Sequence, residues 1–303
     1  MKVSVLIPTY NVSEWIEESL FSIINQTHRD LEIIVVDDCS TDDTFAKIEK
    51  IAAQDARLII RRNKKNLKIT KTLNEALILA TGAFIARVDG DDVAEPDRIE
   101  KQLSLLQEKH LDLVGCQMLP IDENGKVIGH PSSLPVGIDL INRVKIWSSP
   151  ITHIWLARAE VYKALQGYRE VPYAEDYDFV MRAIDKGFKC DNHPEALMRI
   201  RHRSGNTASV ASLLQRKAHN YVIKLHRERL AVGHDSFSES AVVPAGAFIT
   251  ACHQHSTQFL RKAYLSRNIA AKAVLTGLAC VLSLYNTQYL YGRYRVKKIM
   301  DKL

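Results

Sequence analysis

Three aspartates within four residues, Asp89, Asp91 and Asp92, follow an apolar run from Phe84 to Val88. Such a run is typical of a buried strand, and ionised carboxylates are costly to bury without a cation. We therefore expect the aspartates to lie at the carboxyl end of the strand, where open α/β sheets bind ligands. Hard oxygen ligands favour Mg²⁺ or Mn²⁺, which bind together with substrate phosphates. The alternative is an acidic turn in which Asp92 or Asp97 caps the next helix.

Two further apolar runs end in polar residues in the same way. The run from Val3 to Ile7 is followed by Pro8-Thr9-Tyr10-Asn11, and the run from Leu31 to Val36 is followed by Asp37-Asp38. Segments with helical periodicity separate the runs, which predicts parallel βαβ units. Because parallel strands leave a sheet at the same edge, we expect the three polar stretches to converge there.

The intervening helices carry end signals in the sequence. Ser40 and Asp43 predict the cap of a helix from about Asp42 to Ala53. A later helix has Ala76 in its apolar stripe, and Gly82 is expected to end it. Each helix therefore follows a strand directly, as a βαβ unit requires.

Four segments resemble the motifs of family 2 glycosyltransferases in order and spacing: residues 3–11, 32–42, 89–92 with 96–98, and 175–178. They are similar to the opening strand with its nucleotide loop, the turn that reads the base, the Asp-x-Asp motif, and the acidic motif that supplies the catalytic base. The resemblance implies an α/β fold of the GT-A nucleotide-diphospho-sugar transferase type, a Rossmann-like, mixed but mostly parallel sheet flanked by helices. It implies a catalytic domain at residues 1–210 and a helical C-terminal region at residues 211–303.

The resemblance also implies how a nucleotide-sugar donor is held. Asp38 would accept the N3–H of uracil, and it would reject cytosine, whose N3 is itself an acceptor. Asp37 is open to a role in the turn instead. Near Asn63 a basic residue contacts the nucleotide in relatives, and Lys71 is the candidate, although Lys68 replaces a common glycine and a solvated basic loop is the alternative. The implied donor-contacting residues are Pro8, Thr9, Tyr10, Asn11, Asp38, Lys71, Asp89 and Gly90.

The metal and the base follow from the two acidic motifs of the family. Asp91 would ligate Mn²⁺ or Mg²⁺ directly, Asp89 would contact ribose or a metal-bound water, and His202 would be a further ligand, while Asp92 is open to a supporting or capping role. Asp176 would be the general base, with Glu175 as the alternative, and one base opposite a metal-held leaving group predicts inversion by single displacement. In the other interpretation, Asp176 and its neighbours merely open a helix. His153 is open to an acceptor or diphosphate contact, or to a structural role.

The C-terminal region differs from the rest in charge. The chain carries a formal net charge of +6, yet residues 210–303 contain 14 Lys/Arg and 4 Asp/Glu, so that the first part is net acidic. Residues 273–298 combine an uncharged stretch with tyrosines and basic residues, which suits an anionic membrane surface. The alternative is a helical hairpin with a solvated basic face that packs on the catalytic domain or on the partner in a homodimer. An acidic catalytic part argues against nucleic acid as a partner. Five scattered cysteines, the absence of a signal peptide and the absence of a spanning segment predict a cytoplasmic protein, peripheral at the inner face of the cell membrane.

These features together predict an inverting, metal-dependent glycosyltransferase that uses a UDP-sugar and a saccharide or lipid-linked saccharide acceptor. A nucleotidyltransferase is the enzymatic alternative, but it requires a glycine-rich phosphate loop after the first strand, and Pro8-Thr9-Tyr10-Asn11 contains no glycine. A non-catalytic membrane-binding or nucleic-acid-binding protein is the alternative from another class. It leaves the acidic edge without a purpose.

Overall fold

The computed structural model describes residues 1–203 and 212–302. Contacts between residues divide these into two compact units. The first unit contains residues 1–142, 150–170 and 175–203, and the second contains residues 143–149, 171–174 and 212–302.

The first unit is built on one mixed sheet. Its spatial order is β3-β2-β1-β4-β7-β6-β8-β5, with β1 parallel to β2 and β4, β2 parallel to β3, and β6 parallel to β8. Strand β7 runs antiparallel to β4 and β6, and β5 runs antiparallel to β8. The mixed, mostly parallel α/β sheet expected from the sequence is thus confirmed. The strands are β1 (Val3–Thr9), β2 (Leu31–Asp37), β3 (Leu58–Arg62), β4 (Phe84–Arg87), β5 (Val93–Ala94), β6 (Leu113–Ile121), β7 (Leu156–Arg158) and β8 (Cys190–Arg201).

Helices connect the strands and cover the sheet. Strands β1, β2 and β4 are buried at every residue, because helices pack on both faces of the sheet. Each fully buried Val, Leu or Ile side chain stabilises the fold by roughly 1.5–3 kcal/mol relative to exposure. The helices up to residue 185 are α1 (Ile16–Ile24), α2 (Thr44–Ala52), α3 (Lys68–Leu79), α4 (Arg98–Glu108), α5 (Ile138–Val144), α6 (Ala159–Leu165) and α7 (Glu175–Asp185).

The predicted cap of α2 by Ser40 and Asp43 is wrong. Helix α2 begins at Thr44, and the side chain of its N-cap residue, Asp43, makes no capping hydrogen bond. The Ser40 hydroxyl instead accepts from the backbone N–H of Asn11 (3.0 Å) and donates to Asp37. Ser40 therefore joins the ends of β1 and β2, and this contact between distant segments is invisible to a local capping pattern.

Gly82 was expected to end α3, but the helix already ends at Leu79, with Ala80 as its C-cap residue. A β-carbon on Gly82 would lie 2.7 Å from the backbone nitrogen of Ser4 and 2.9 Å from the carbonyl oxygen of Lys2. Glycine is therefore required at this position because the chain passes directly against β1.

The buried Glu32 carboxylate fastens this same end of the sheet. It accepts hydrogen bonds from Ser4 and Thr81 and pairs with Lys2 at 2.5 Å. Burial alone would raise the pKa of Glu32, but the hydrogen bonds from Lys2, Ser4 and Thr81 outweigh it and lower the pKa to about 2.

We expect the Glu32→Gln variant to reveal this carboxylate in the pH dependence of stability. Because the pKa of Glu32 is lower in the folded state, its contribution is complete above the unfolded-state pKa and is lost as the pH falls. The difference in unfolding free energy between wild type and Glu32→Gln should shrink by about 3 kcal/mol as the pH falls from roughly 5 to roughly 2. Urea denaturation across this range measures it, and a difference that is constant with pH would contradict the assignment.

The second unit contains the helical C-terminal part expected from the sequence: α8 (Ser212–Val232), α9 (Ala247–Leu265), α10 (Ile269–Leu282) and α11 (Leu284–Met300). The side chains of Asn268 and Ser283 cap α10 and α11 respectively by accepting from backbone N–H groups. Among the residues that the structure describes, no helix is long and apolar enough to cross a bilayer.

Candidate active site

The ends of β1, β2 and β4 meet at one edge of the sheet, as expected. Thr9 and Asp37 are register partners at the ends of β1 and β2, and the backbone N–H of Asp38 donates to the Thr9 carbonyl at 2.8 Å. On the other side of β1, the N–H of Val88 donates to Leu6 at 3.1 Å. The loop after β1, the Asp37-Asp38 pair and the acidic turn at residues 89–92 are therefore neighbours.

Asp37 is occupied with holding the turn after β2. Its carboxylate is fully buried and accepts from the backbone N–H of Ser40 at 2.9 Å. Asn11 completes the turn from the other side, where its side-chain oxygen accepts from the N–H of Thr41 at 2.8 Å. This geometry corresponds to the turn role that the sequence left open for Asp37.

Asp38 organises the loop that precedes α3. Its buried carboxylate accepts from the Asn63 side chain at 2.8 Å and from the backbone N–H groups of Leu67 and Lys68 at 2.7 and 2.8 Å. A carboxylate has about four lone-pair directions, so one acceptor site remains beyond these three bonds. These bonds therefore fix the orientation of the carboxylate of Asp38, a residue that neighbours Thr9 at the end of β1. Tyr10, which begins the loop after β1, is 44% exposed.

Lys68 stands where relatives commonly have glycine, and its backbone conformation also favours glycine. Lys68 adopts φ +70°, in the left-handed region that favours glycine. We expect Lys68→Gly to raise the free energy of unfolding by roughly 1 kcal/mol, since the β-carbon strain exceeds the entropy that glycine costs. Chemical denaturation measures this, with Lys64→Gly as the matched control, because Lys64 is exposed in the same loop and lies outside the left-handed region. Equal or opposite changes for the two variants would contradict the prediction.

Lys71 lies on the exposed face of α3. Its ammonium pairs with Glu170 at 2.8 Å. The contact between Lys71 and the nucleotide remains a prediction. It requires Lys71 to leave Glu170 and to pair with the nucleotide instead.

The acidic turn is tightly packed against the loop after β1. A β-carbon on Gly90 would lie 2.7 Å from the methyl group of Thr9 and 3.3 Å from that of Val12, which explains a glycine between two aspartates. Within the turn, Asp92 is buried and its carboxylate accepts from the backbone N–H of Arg201 at 2.9 Å. The alternative interpretation required Asp92 or Asp97 to cap α4. Asp97 is the N-cap residue of α4, but its side chain makes no capping hydrogen bond, and the Asp92 carboxylate is bonded to Arg201 instead.

Asp89, Asp92 and His153 form a group that could hold a metal ion. Their ligand atoms all lie within 4.8 Å of one another, and His153 Nε2 is 3.6 Å from Asp89 and 3.8 Å from Asp92. His153 Nε2 is buried and has no hydrogen-bond partner among the described residues. An unsatisfied imidazole nitrogen that faces two carboxylates fits a divalent cation.

The electrostatics of this group reflect its crowding. Burial raises the pKa of Asp92 to about 6, and the charges of Asp91 and Asp89 add to the rise against the opposing effect of His153. For Asp89, burial acts upward as well, but the charges of Arg87 and His153 outweigh it and hold its pKa below the usual value. Burial acts to lower the pKa of His153, yet Asp89 and Asp92 raise it overall. The group thus favours positive charge at its centre.

The predicted ligands Asp91 and His202 lie outside this group. Asp91 pairs with Arg203, whose Nε is 2.7 Å from Asp91 Oδ2. His202 is exposed, and its backbone N–H donates to the Ile121 carbonyl at 2.8 Å. Of the predicted ligand set, the structure brings Asp89 together with Asp92 and His153.

The acidic motif begins α7, and its three carboxylates differ in burial and in ion pairing. Glu175 is buried against Arg87 (3.2 Å), and its pKa is raised by burial and by the charge of Asp176, against the effect of Arg87. Asp178 is fully buried between Arg169 and Arg182, each at 2.7 Å. Asp176 is half-buried, and in the described part of the chain no arginine or lysine pairs with it. Asp176 is thus the carboxylate of this motif that no described arginine or lysine neutralises.

Arg87 is a central residue that the sequence reasoning did not assign. It is 3% exposed in β4, and it joins Asp89 (3.0 Å) to Glu175 (3.2 Å), hence the acidic turn to the start of α7. Burial acts to lower the pKa of Arg87, but the two carboxylates raise it well above the usual value. A single arginine inside the apolar run from Phe84 to Val88 was the available signal.

Arg201 and Arg203 were also missed as partners of the acidic turn. Arg201 is 1% exposed, donates to the backbone carbonyl of Asp91 at 2.9 Å and pairs with Glu18 at 2.6 Å. Arg203 lies over the Trp15 ring at 5.1 Å while it pairs with Asp91. Both arginines bring positive charge to the place where an anionic diphosphate is expected.

Comparison with known proteins identifies the family of this chain. The model of Glycosyl transferase family 2 matches residues 4–166. The putative glycosyltransferase EpsE of Bacillus subtilis is 37% identical over 213 residues, which cover 67% of this chain and 74% of EpsE. The amylovoran biosynthesis glycosyltransferase AmsE of Erwinia amylovora is 30% identical over 242 residues, which cover 77% of this chain and 88% of AmsE.

Solved structures share the fold at low sequence identity. Residues 1–349 of S. aureus TarS, solved in complex with UDP-GlcNAc, align with a TM-score of 0.65 and 22% identity over 100% of this chain and 92% of the TarS chain. The mannosyltransferase PcManGT of Pyrobaculum calidifontis, solved with GDP-Man and Mn²⁺, aligns with a TM-score of 0.59 and 21% identity over 97% of this chain and 84% of its own.

Proposed function

The chain belongs to glycosyl transferase family 2, and on that premise we propose that it is an inverting, metal-dependent enzyme that moves a hexose or an N-acetylhexosamine from a UDP-sugar to a hydroxyl of a saccharide or lipid-linked saccharide. Family membership makes the protein a glycosyltransferase and removes the nucleotidyltransferase and the non-catalytic alternatives. The observation that supports the finer proposal is the link from the acidic turn through Arg87 to the start of α7, because it joins the segment proposed to bind the donor to the segment proposed to supply the base.

The donor side is supported by the geometry around Asp38. The backbone N–H of Asp38 bonds to Thr9, three hydrogen bonds fix its carboxylate, and one acceptor direction is left for the N3–H of a uracil. Pro8, Tyr10 and Asn11 complete the proposed surface for base and ribose. The TarS structure binds UDP-GlcNAc, which agrees with a UDP-sugar, whereas PcManGT binds GDP-Man on the same fold.

The residues at the acidic turn fit a divalent cation, Mn²⁺ or Mg²⁺. When bound, such an ion neutralises charge on the departing nucleoside diphosphate. Asp89 belongs to both proposed ligand sets, one with Asp91 and His202 and the other with Asp92 and His153. For the first set Asp91 must release Arg203, which then becomes free to pair with the diphosphate. Titration of Mn²⁺ into His153→Gln and Asp91→Asn, followed by electron paramagnetic resonance, separates the sets, because only the variant that removes a ligand loses binding.

Asp176 acts in the proposal as general base. It takes the proton of the acceptor hydroxyl while the acceptor oxygen attacks the anomeric carbon and the nucleoside diphosphate departs. The leaving group is a diphosphate and needs no protonating acid, so one carboxylate suffices and the anomeric configuration inverts. Glu175 is the less suitable base, because it is paired with Arg87.

The acceptor class and the place of action are proposed from the name of a relative. AmsE is named for amylovoran biosynthesis, and by analogy we assign this enzyme to the synthesis of a surface polysaccharide or glycolipid, in which a lipid-linked acceptor would hold it at the inner face of the cell membrane. We propose residues 1–210 as the catalytic domain and the basic helices after it as an accessory region, for membrane contact or for a homodimer.

Donor binding and slow hydrolysis across a panel of nucleotide sugars test the proposal, each in Mn²⁺ or in chelator. We expect one UDP-sugar to bind and to release UDP only with metal, and Asp91→Ala to be silent. Binding of no nucleotide sugar in either condition would refute the proposed site, and metal-independent turnover would refute the role of the acidic turn.

A further inference from the structure

Helix α10 (Ile269–Leu282) is apolar over nearly its whole length and yet lies largely in solvent. Lys272 is its one charged residue, and Ala279 is its one buried residue. The side chains of Ile269 and Val281 are each 85% exposed. Since removal of apolar side chains from water is favourable, this helix presents a surface that another body would stabilise.

The exposed surface extends into the residues on both sides of the helix. Tyr264 and Leu265 at the end of α9 are 81% and 70% exposed, and Leu284 at the start of α11 is 68% exposed. We call the six side chains of Tyr264, Leu265, Ile269, Val274, Val281 and Leu284 the α10 surface. Exposed apolar side chains concentrated in one segment indicate an interaction site on a soluble protein.

The basic residues around the α10 surface indicate which kind of partner suits it. Residues 240–300 contain eight Lys/Arg and no Asp/Glu. Four of these basic residues, Arg261, Lys262, Arg267 and Lys272, are exposed on or beside α10. An apolar helical segment bordered by lysine, arginine and tyrosine is typical of proteins that bind at the interface of anionic bilayers.

We propose that the α10 surface docks onto an anionic phospholipid bilayer, with α10 lying in the plane of the interface. The helix has 14 residues, which at about 1.5 Å per residue make it too short for a hydrocarbon core of roughly 30 Å. A second copy of the chain is the weaker fit, because a symmetric contact through this surface would bring two acid-free basic regions together. The inference does not depend on the donor or metal assignments.

Sedimentation with sucrose-loaded vesicles tests the proposal on the full chain. We expect the protein to sediment with vesicles of phosphatidylcholine and phosphatidylglycerol and to stay in the supernatant with phosphatidylcholine alone. Added salt should weaken the binding, because it screens the basic residues. Arg267→Gln/Lys272→Gln should lower the partition coefficient about 25-fold, at roughly fivefold per charge.

The apolar contribution to vesicle binding is tested with Ile269→Gln/Val281→Gln. Glutamine is a good helix former and both positions are exposed, so the helix should be kept. We expect at least about a tenfold loss of vesicle binding. The matched control is Ile78→Gln on α3, a 73% exposed isoleucine in the first unit, which should bind vesicles like wild type. UDP-sugar binding by the same variants should be unchanged, which separates a failure here from a failure of the donor site.

Several outcomes would overturn the proposal. One is a failure of the wild-type protein to bind anionic vesicles. Another is an equal loss of vesicle binding in Ile269→Gln/Val281→Gln and in Ile78→Gln. A dimer in sedimentation velocity that Ile269→Gln/Val281→Gln dissociates, without vesicle binding by wild type, would assign the surface to a second copy instead.

Discussion

Replacement of Asp176 by asparagine should lower kcat by roughly a thousandfold and leave donor binding nearly unchanged, because a positioned general base contributes about 10²–10⁴ in rate. The side-chain oxygen of asparagine can still accept from the backbone N–H of Tyr177, which the Asp176 carboxylate does at 2.7 Å. The start of α7 should therefore keep its structure while the proton acceptor is lost. Single-turnover kinetics with the preferred donor and acceptor measure the rate, and calorimetry measures donor affinity.

Two controls give this result its meaning. Glu160→Gln removes an exposed acid from the first turn of α6 and should leave turnover unchanged. Glu175→Gln tests the alternative base, and we expect it to affect stability more than turnover, because Glu175 is a partner of buried Arg87. A Glu175→Gln variant that loses as much turnover as Asp176→Asn, with wild-type stability, would move the base to Glu175.

The frame of the site was predictable because it depends on local patterns. The runs in β1, β2 and β4 are buried on both faces, and such strands are written in the sequence as continuous apolar residues. Parallel pairing then places their polar ends at one edge, whatever the details of the loops. For this reason the positions of Thr9, Asp38 and the acidic turn followed from the sequence.

The partners within the site were not predictable, because they join residues far apart in the chain. Arg87 reaches Glu175 across 88 positions, and Asp91 meets Arg203 across 112. No periodicity or capping rule specifies such pairs. The same limit explains the error at Ser40, where a local capping pattern was overridden by a bond to Asn11 in another loop.

His153 shows a related limit. Its place beside Asp89 follows from the antiparallel insertion of β7 next to β4, which pairs Ala86 with Leu156 and brings the residues before β7 to the acidic turn. Sequence alternation of strands and helices predicts parallel neighbours and does not reveal this insertion. The histidine was therefore open to both an acceptor contact and a structural role until the strand order was known.

Arg87→Met should cost roughly 3–5 kcal/mol of unfolding free energy, because it leaves the buried carboxylate of Glu175 and the partly buried carboxylate of Asp89 without this cation. Methionine fills a similar volume, so the loss reports charge rather than packing. The matched control is Arg61→Met on β3, where a surface ion pair with Glu75 is worth at most about 1 kcal/mol. Urea denaturation of both variants, with wild type alongside, gives the two values.

The double variant Arg87→Met/Glu175→Gln tests whether the stability lost in Arg87→Met is due to the unpaired Glu175 carboxylate. If an unpaired Glu175 carboxylate causes most of the loss, removal of its charge should restore a substantial part of the stability that Arg87→Met loses. A double variant less stable than Arg87→Met would show that the hydrogen-bonding shape of Glu175, rather than its charge, matters at the start of α7. A cost below about 1 kcal/mol for Arg87→Met would remove the arginine as the link between the acidic turn and the proposed base.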